Sequence, residues 1–178
     1  MPRTAARRGG PRAGAFDRVI RENRRLYAAT AFTGAVVDQL TKIWAGAHLS
    51  GRPARVFGPF RFELSRNPGA AFGLGRSLTP WITALTIVAV LALFIAGWRA
   101  RDRAWSAVLG LITAGALGNG IDRLTRAPGF GRGAVVDWIK APFYGPVFNL
   151  ADVALRSGML LALLLLLRRS RKSAEAGV

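Results

Sequence analysis

The sequence predicts an all-α membrane protein, with four transmembrane helices joined by two extracytoplasmic loops. Three observations point there. Hydrophobic residues make up 51% of the 178. The stretch "TPWITALTIVAVLALFIAGW" (79–98) carries no charge, and about 20 apolar residues in a helix span about 30 Å of hydrocarbon. Three further segments, 26–49, 104–124 and 148–167, are apolar apart from a few polar residues. Helices satisfy their own backbone hydrogen bonds in lipid, so a four-span bundle is the economical arrangement.

The basic residues set its orientation. Residues 1–27 hold eight arginines, the linker "RARDR" (99–103) three, and "RRSRK" (168–172) four basic residues. Four spans put these three segments on one side, and the positive-inside rule makes that side cytoplasmic, with both termini there. The opposite segments, 50–78 and 125–147, hold five and three basic residues. A net charge of +17 in a soluble chain would suggest nucleic acid; here its placement follows the membrane, and no nucleic-acid partner is expected. One membrane unit, 26–168, is expected between a solvated basic tail, 1–25, and a short cytoplasmic tail, 169–178. The first tail lacks a small-residue cleavage pattern and leads into an uncleaved helix; attraction to anionic lipids is its simplest role.

Topology brings the polar residues of the spans to one depth. Asp38 and Lys42 fall late in the first span, which runs outward. Asn119, Asp122 and Arg123 end the third, and Asn149 and Asp152 open the fourth. All therefore lie toward the outer surface. Spacings of three and four put each set on one helix face, and the cost of charge against lipid turns those faces inward. Helix capping and ion pairing that only glue the bundle remain open for Asp38–Lys42 and for Asn149. Asp137, ahead of the fourth span, and Asp152 have no obvious local basic partner except Lys140 and Arg156, and the 14 residues between them contain Pro142, Gly145 and Pro146 and can fold back to bring the two carboxylates together.

An inventory of reactive groups narrows the chemistry. There is no cysteine, hence no disulfide and no thiol nucleophile. The single histidine, His48, has no neighbouring ligand set for zinc and no serine in a nucleophile elbow. No metal or other cofactor is expected. Two carboxylates sharing a proton can still activate water. An ion-coupled transporter would need polar residues through the whole membrane depth, and a helix-gluing scaffold would leave Asp137 without a task.

The motifs "DQLTK" (38–42), "NPGAAFG" (67–73), "GALGNGIDR" (115–123), "VVDWI" (135–139) and "FNLAD" (148–152) occur in an order that resembles bacterial lipoprotein signal peptidase, or signal peptidase II, over residues 30 to 167. The resemblance implies a four-helix aspartic intramembrane protease. It would act on diacylglyceryl-modified prolipoproteins in the bacterial cell membrane, cutting just before the lipid-bearing cysteine. It implies Asp137 and Asp152 as the catalytic pair, with Asn67, Asn119, Arg123 and Asn149 around substrate and dyad. Asp38 and Lys42 correspond to a structural pair, and Asp122 is a further structural polar residue. A sheet on the outer membrane surface, from the alternating segment 55–73, inhibition by globomycin, membrane lipids as surroundings and a monomeric state complete the expectations. Two positions depart from the family pattern. Gly120 stands where a larger apolar residue is expected, which would loosen packing, and Arg156 lies one turn past Asp152, either pairing with it or facing elsewhere.

Overall fold

The computed structural model describes residues 11–52, 54–69 and 76–176. Four helices form: α1 (Pro11–Leu49), α2 (Thr79–Arg99), α3 (Arg103–Thr125) and α4 (Leu150–Ala176). Three strands, β1 (Arg55–Phe57), β2 (Phe60–Asn67) and β3 (Val135–Lys140), make one antiparallel sheet in that order. Among the described residues α2, α3 and α4 are long and apolar enough to cross a membrane. Asp38, Gln39 and Lys42 dilute the apolar stretch of α1, which does not reach that level.

The bundle is polar inside and apolar outside. Phe32, Leu40 and Ile43 of α1, Leu85 and Val88 of α2, and Leu160 and Leu163 of α4 are exposed, whereas Asp38, Lys42, Asp122 and Asn149 are at most 1% exposed. In water that arrangement would waste apolar burial; in lipid it keeps charge away from hydrocarbon.

α3 is the central helix and packs against the other three. Its small residues allow the approach: a Cβ at Gly115 would collide with the Ala151 carbonyl of α4, and one at Gly118 with the Asp38 carboxylate of α1. Gly120 is less crowded: a Cβ there would lie 3.3 Å from the Thr86 methyl of α2, a contact that a shift of a few tenths of an ångström relieves.

The sheet sits on the end of the bundle that holds the polar residues. Gly58, at φ 57°, turns β1 into β2 through two residues. Trp138 of β3, with Ala45 and Leu49 of α1, forms a small core onto which Phe62, Leu64, Ile139 and Leu150 pack. The second loop thus supplies the third strand and is not irregular throughout. Both faces of β3 are covered along Val135–Trp138, so it lacks the alternation that marks a half-exposed strand.

Both tails continue helices where described. α1 already begins at Pro11 and α4 runs to Ala176, so residues 11–25 and 169–176 are helical extensions of the bundle. The "NPGAAFG" motif is described only as far as Gly69; its remainder lies outside the described residues.

Candidate active site

Asp137 enters the site on β3, paired in register with Ser65 of β2. Its carboxyl is 3% exposed. Asp152 lies in the first turn of α4, half-buried. Asn149 precedes that helix and caps it: its Oδ1 accepts from the Asp152 backbone N–H at 2.9 Å, and Asp152 Oδ2 accepts from the Asn149 N–H at 3.3 Å. This reciprocal pair is a capping box with aspartate at the third helical position. The same Asn149 donates through Nδ2 to Asp137 Oδ1 at 2.6 Å and to Asn119 Oδ1 at 3.1 Å. Asn119 in turn donates to Asp152 Oδ1 at 2.9 Å. Two asparagines therefore wire the two carboxylates together.

Beneath them lies an ion cluster. Lys42 Nζ, with no exposed surface, contacts Asp38 at 2.8 Å, Asp122 at 2.9 Å and Asn119 Oδ1 at 3.0 Å. Arg126 completes the charge balance, 2.6 Å from Asp122. The cluster reaches structure on both sides: Asp38 accepts from the Ala151 N–H at the start of α4, and Asp122 from the Val136 N–H of β3. Asp38, Lys42 and Asp122 thus fix the two backbone segments that carry Asp152 and Asp137. Gln39, which the sequence did not single out, bonds both Asp122 and the Gly118 carbonyl.

Above the wiring opens a cavity of about 170 Å³. Asp137, Asp152, Asn67, Asn119 and Arg123 all line it. Asn149 does not; it has no exposed surface and holds the carboxylates from behind. Arg123 Nη2 donates to the Gly69 carbonyl at 3.0 Å, while its buried Nη1 has no partner among the described residues. Burial pushes the Asp137 carboxyl up to about 7, and the neighbouring Asp152 charge adds to the effect; hydrogen bonds from Asn149 and Asn67 and the Lys42 charge act in the opposite direction.

Residues 30–168 match the family Signal peptidase (SPase) II. The chain belongs to the signal peptidase II family. It is 44% identical over 152 residues to the lipoprotein signal peptidase of Bifidobacterium longum subsp. infantis, covering 83% of this chain and 82% of that one. Against the lipoprotein signal peptidase of Leifsonia xyli subsp. xyli the identity is 41% over 164 residues, covering 86% and 74%. A bacterial membrane enzyme solved by the in meso method at 2.3 Å superposes with a TM-score of 0.71 and 27% identity, over 81% of this chain and 88% of that chain. Membership in the signal peptidase II family makes the chain a protease, and its apolar helices are those of a membrane protein.

Arg156 lines the same cavity as Asp152 but stacks on Tyr144. Its guanidinium stands 5.4 Å from the centroid of the Tyr144 ring, and no ion pair joins it to Asp152 among the described residues. Tyr144, Pro146 and Val147 also line the cavity. These loop residues were not recognisable as site residues, because Gly and Pro mark a turn without saying what the turn covers. The single histidine, His48, bonds the Trp44 carbonyl in its own helix and stacks on the Trp44 ring, remote from the carboxylates.

Proposed function

We propose that the chain is an aspartic endopeptidase that removes signal peptides from diacylglyceryl-modified prolipoproteins, cutting before the lipidated cysteine. The observation that carries this reading is the pair Asp137 and Asp152, lining one cavity and joined through Asn149 and Asn119, with Asp137 held near neutral pH. Hydrolysis by a carboxylate pair needs one protonated and one ionised member. Burial favours the proton on Asp137. The ionised role then falls to Asp152, whose Oδ1 accepts from Asn119 and whose Oδ2 accepts from the Asn149 backbone N–H.

Asp152 then takes a proton from water as the oxygen attacks the scissile carbonyl carbon. Asp137 donates its proton to the carbonyl oxygen, giving a neutral gem-diol. Collapse of the diol breaks the C–N bond, the leaving nitrogen receives a proton from Asp152, and Asp137 recovers its own from the hydroxyl that becomes the new acid's carbonyl. The free Arg123 Nη1 is placed to bind a peptide carbonyl beside the reacting one, and Asn67 and Asn119 offer further polar contacts.

In the same reading all four helices span the cell membrane, both termini are cytoplasmic and the dyad lies near the outer face. The charge bias of residues 1–27, 99–103 and 168–172 supports that orientation. A signal peptide inserted from the cytoplasm would present its cleavage site at that depth, with the diacylglyceryl group resting in lipid beside the bundle. The test is incubation of the purified protein in detergent with a lipidated prolipoprotein and with its unlipidated precursor. Shortening of the lipidated form alone is expected; cleavage of neither, or of both equally, would contradict the proposal.

A further inference from the structure

At the end of the bundle remote from the two aspartates, the start of α3 and the last turns of α4 enclose a second cavity, of about 480 Å³. Its wall is apolar, from Ala104, Trp105 and Leu165; Arg168, Arg169, Arg171 and Lys172 form its rim. The change from apolar to basic falls at a defined height. From Leu150 to Leu167 α4 rises about 27 Å at about 1.5 Å per residue, so Arg168 stands where the hydrocarbon ends. The aromatic rings mark the same level. Arg169 stacks over Trp105 at 5.5 Å from its centroid, and at the end of α2 Arg24 stacks over Trp98 at 5.1 Å.

The four cations of the rim make no ion pair and no hydrogen bond among the described residues. Two carboxylates are nearby. Asp102 is committed as the N-cap of α3, accepting from the Trp105 backbone N–H at 3.0 Å, and Glu175 lines the cavity from the same helix as the four cations. An excess of two positive charges thus surrounds a cavity that also presents Ala104, Trp105 and Leu165. A free phosphate would satisfy the rim and leave the apolar wall uncovered. A neutral lipid would do the reverse.

We propose that this cavity is a binding site for one anionic phospholipid of the adjoining leaflet, its phosphate among Arg168, Arg169, Arg171 and Lys172 and its glycerol and first acyl carbons against Trp105 and Leu165. The site depends on reading the helices as membrane spans, but not on the peptidase chemistry.

The experiment compares the full chain, reconstituted in phosphatidylcholine with about one fifth phosphatidylglycerol, a content at which basic residues near the surface are attracted measurably. Lipids retained after extraction into detergent are counted by native mass spectrometry. The wild type is expected to keep one phosphatidylglycerol. Arg169→Gln/Arg171→Gln should lower that retention at least about tenfold, while Arg18→Gln/Arg21→Gln, which removes the same charge from exposed positions on α1, should leave it unchanged. Thermal unfolding in pure phosphatidylcholine should be the same for all three. Equal retention in the α4 variant, or equal loss in the α1 variant, would overturn the proposal. So would displacement of the lipid by millimolar inorganic phosphate. Retention by a protein that cleaves no precursor would count against the peptidase reading and leave the lipid site standing.

Discussion

In the proposed mechanism Asp137 sets the pH dependence. With its carboxyl pushed up to about 7, loss of the proton above neutrality would remove the proposed general acid, so kcat/KM should fall about tenfold per pH unit above about pH 8. The sign for stability follows from the same burial. The unfolded chain ionises Asp137 from about 3.8 upward while the folded chain stays protonated to about 7, so the folded state binds more protons in that window and stability declines as pH rises through it. Thermal unfolding in detergent should therefore fall between pH 5 and pH 8 by more in the wild type than in Asp137→Asn; an identical fall would show that this carboxyl is not perturbed. Arg156 yields a different prediction. Because it stacks on Tyr144 and not on Asp152, Arg156→Ala should raise KM about threefold to tenfold, as expected for about 1 kcal/mol of lost cation–π support, and leave the pH profile in place. A shifted profile would mean that Arg156 acts on the dyad directly. The spacing of four residues from Asp152 could not decide this, since it fixes a helix face but not what a loop lays against it.

At the scale of elements, the helices were readable because polar residues stand out in apolar spans. Asp38, Lys42, Asn119, Asp122, Asn149 and Asp152 were each visible for that reason, and their burial follows from it. β3 was not readable as a strand. "VVDWI" is buried on both faces along Val135–Trp138, with Trp138 packed on Trp44 and Phe62, so the signal of period two is absent. The helical start of α1 was also hidden, because "PRAGAFDRVIRENRR" looks like a charged tail until the rest of α1 extends it. Lys42 ties these elements together through two aspartates on two helices. Lys42→Met should leave Asp38 and Asp122 buried with Arg126 as their remaining cation and cost about 3–5 kcal/mol. A drop in the detergent unfolding midpoint, with loss of folded yield, is the expected result; an unchanged midpoint would mean that the cluster does not hold β3 and α4 in place.

For the whole molecule, an inside-out distribution of polarity fits one environment, a bilayer, and the central α3 places its C-terminal end beneath β3 and beside the start of α4. Reporter tags at either terminus should be active only in the cytoplasm; tags active outside the cell would reverse the proposed orientation and separate the dyad from the outer face. The proposed chemistry rests on two carboxylates, and their joint necessity is the most direct thing to measure. Single-turnover cleavage of a lipidated prolipoprotein by wild type, Asp137→Asn and Asp152→Asn, each first shown to be folded and membrane-inserted, should give product with the wild type and a rate lowered by about 10³-fold or more in both variants. More than a few per cent of wild-type rate in either one would contradict the account.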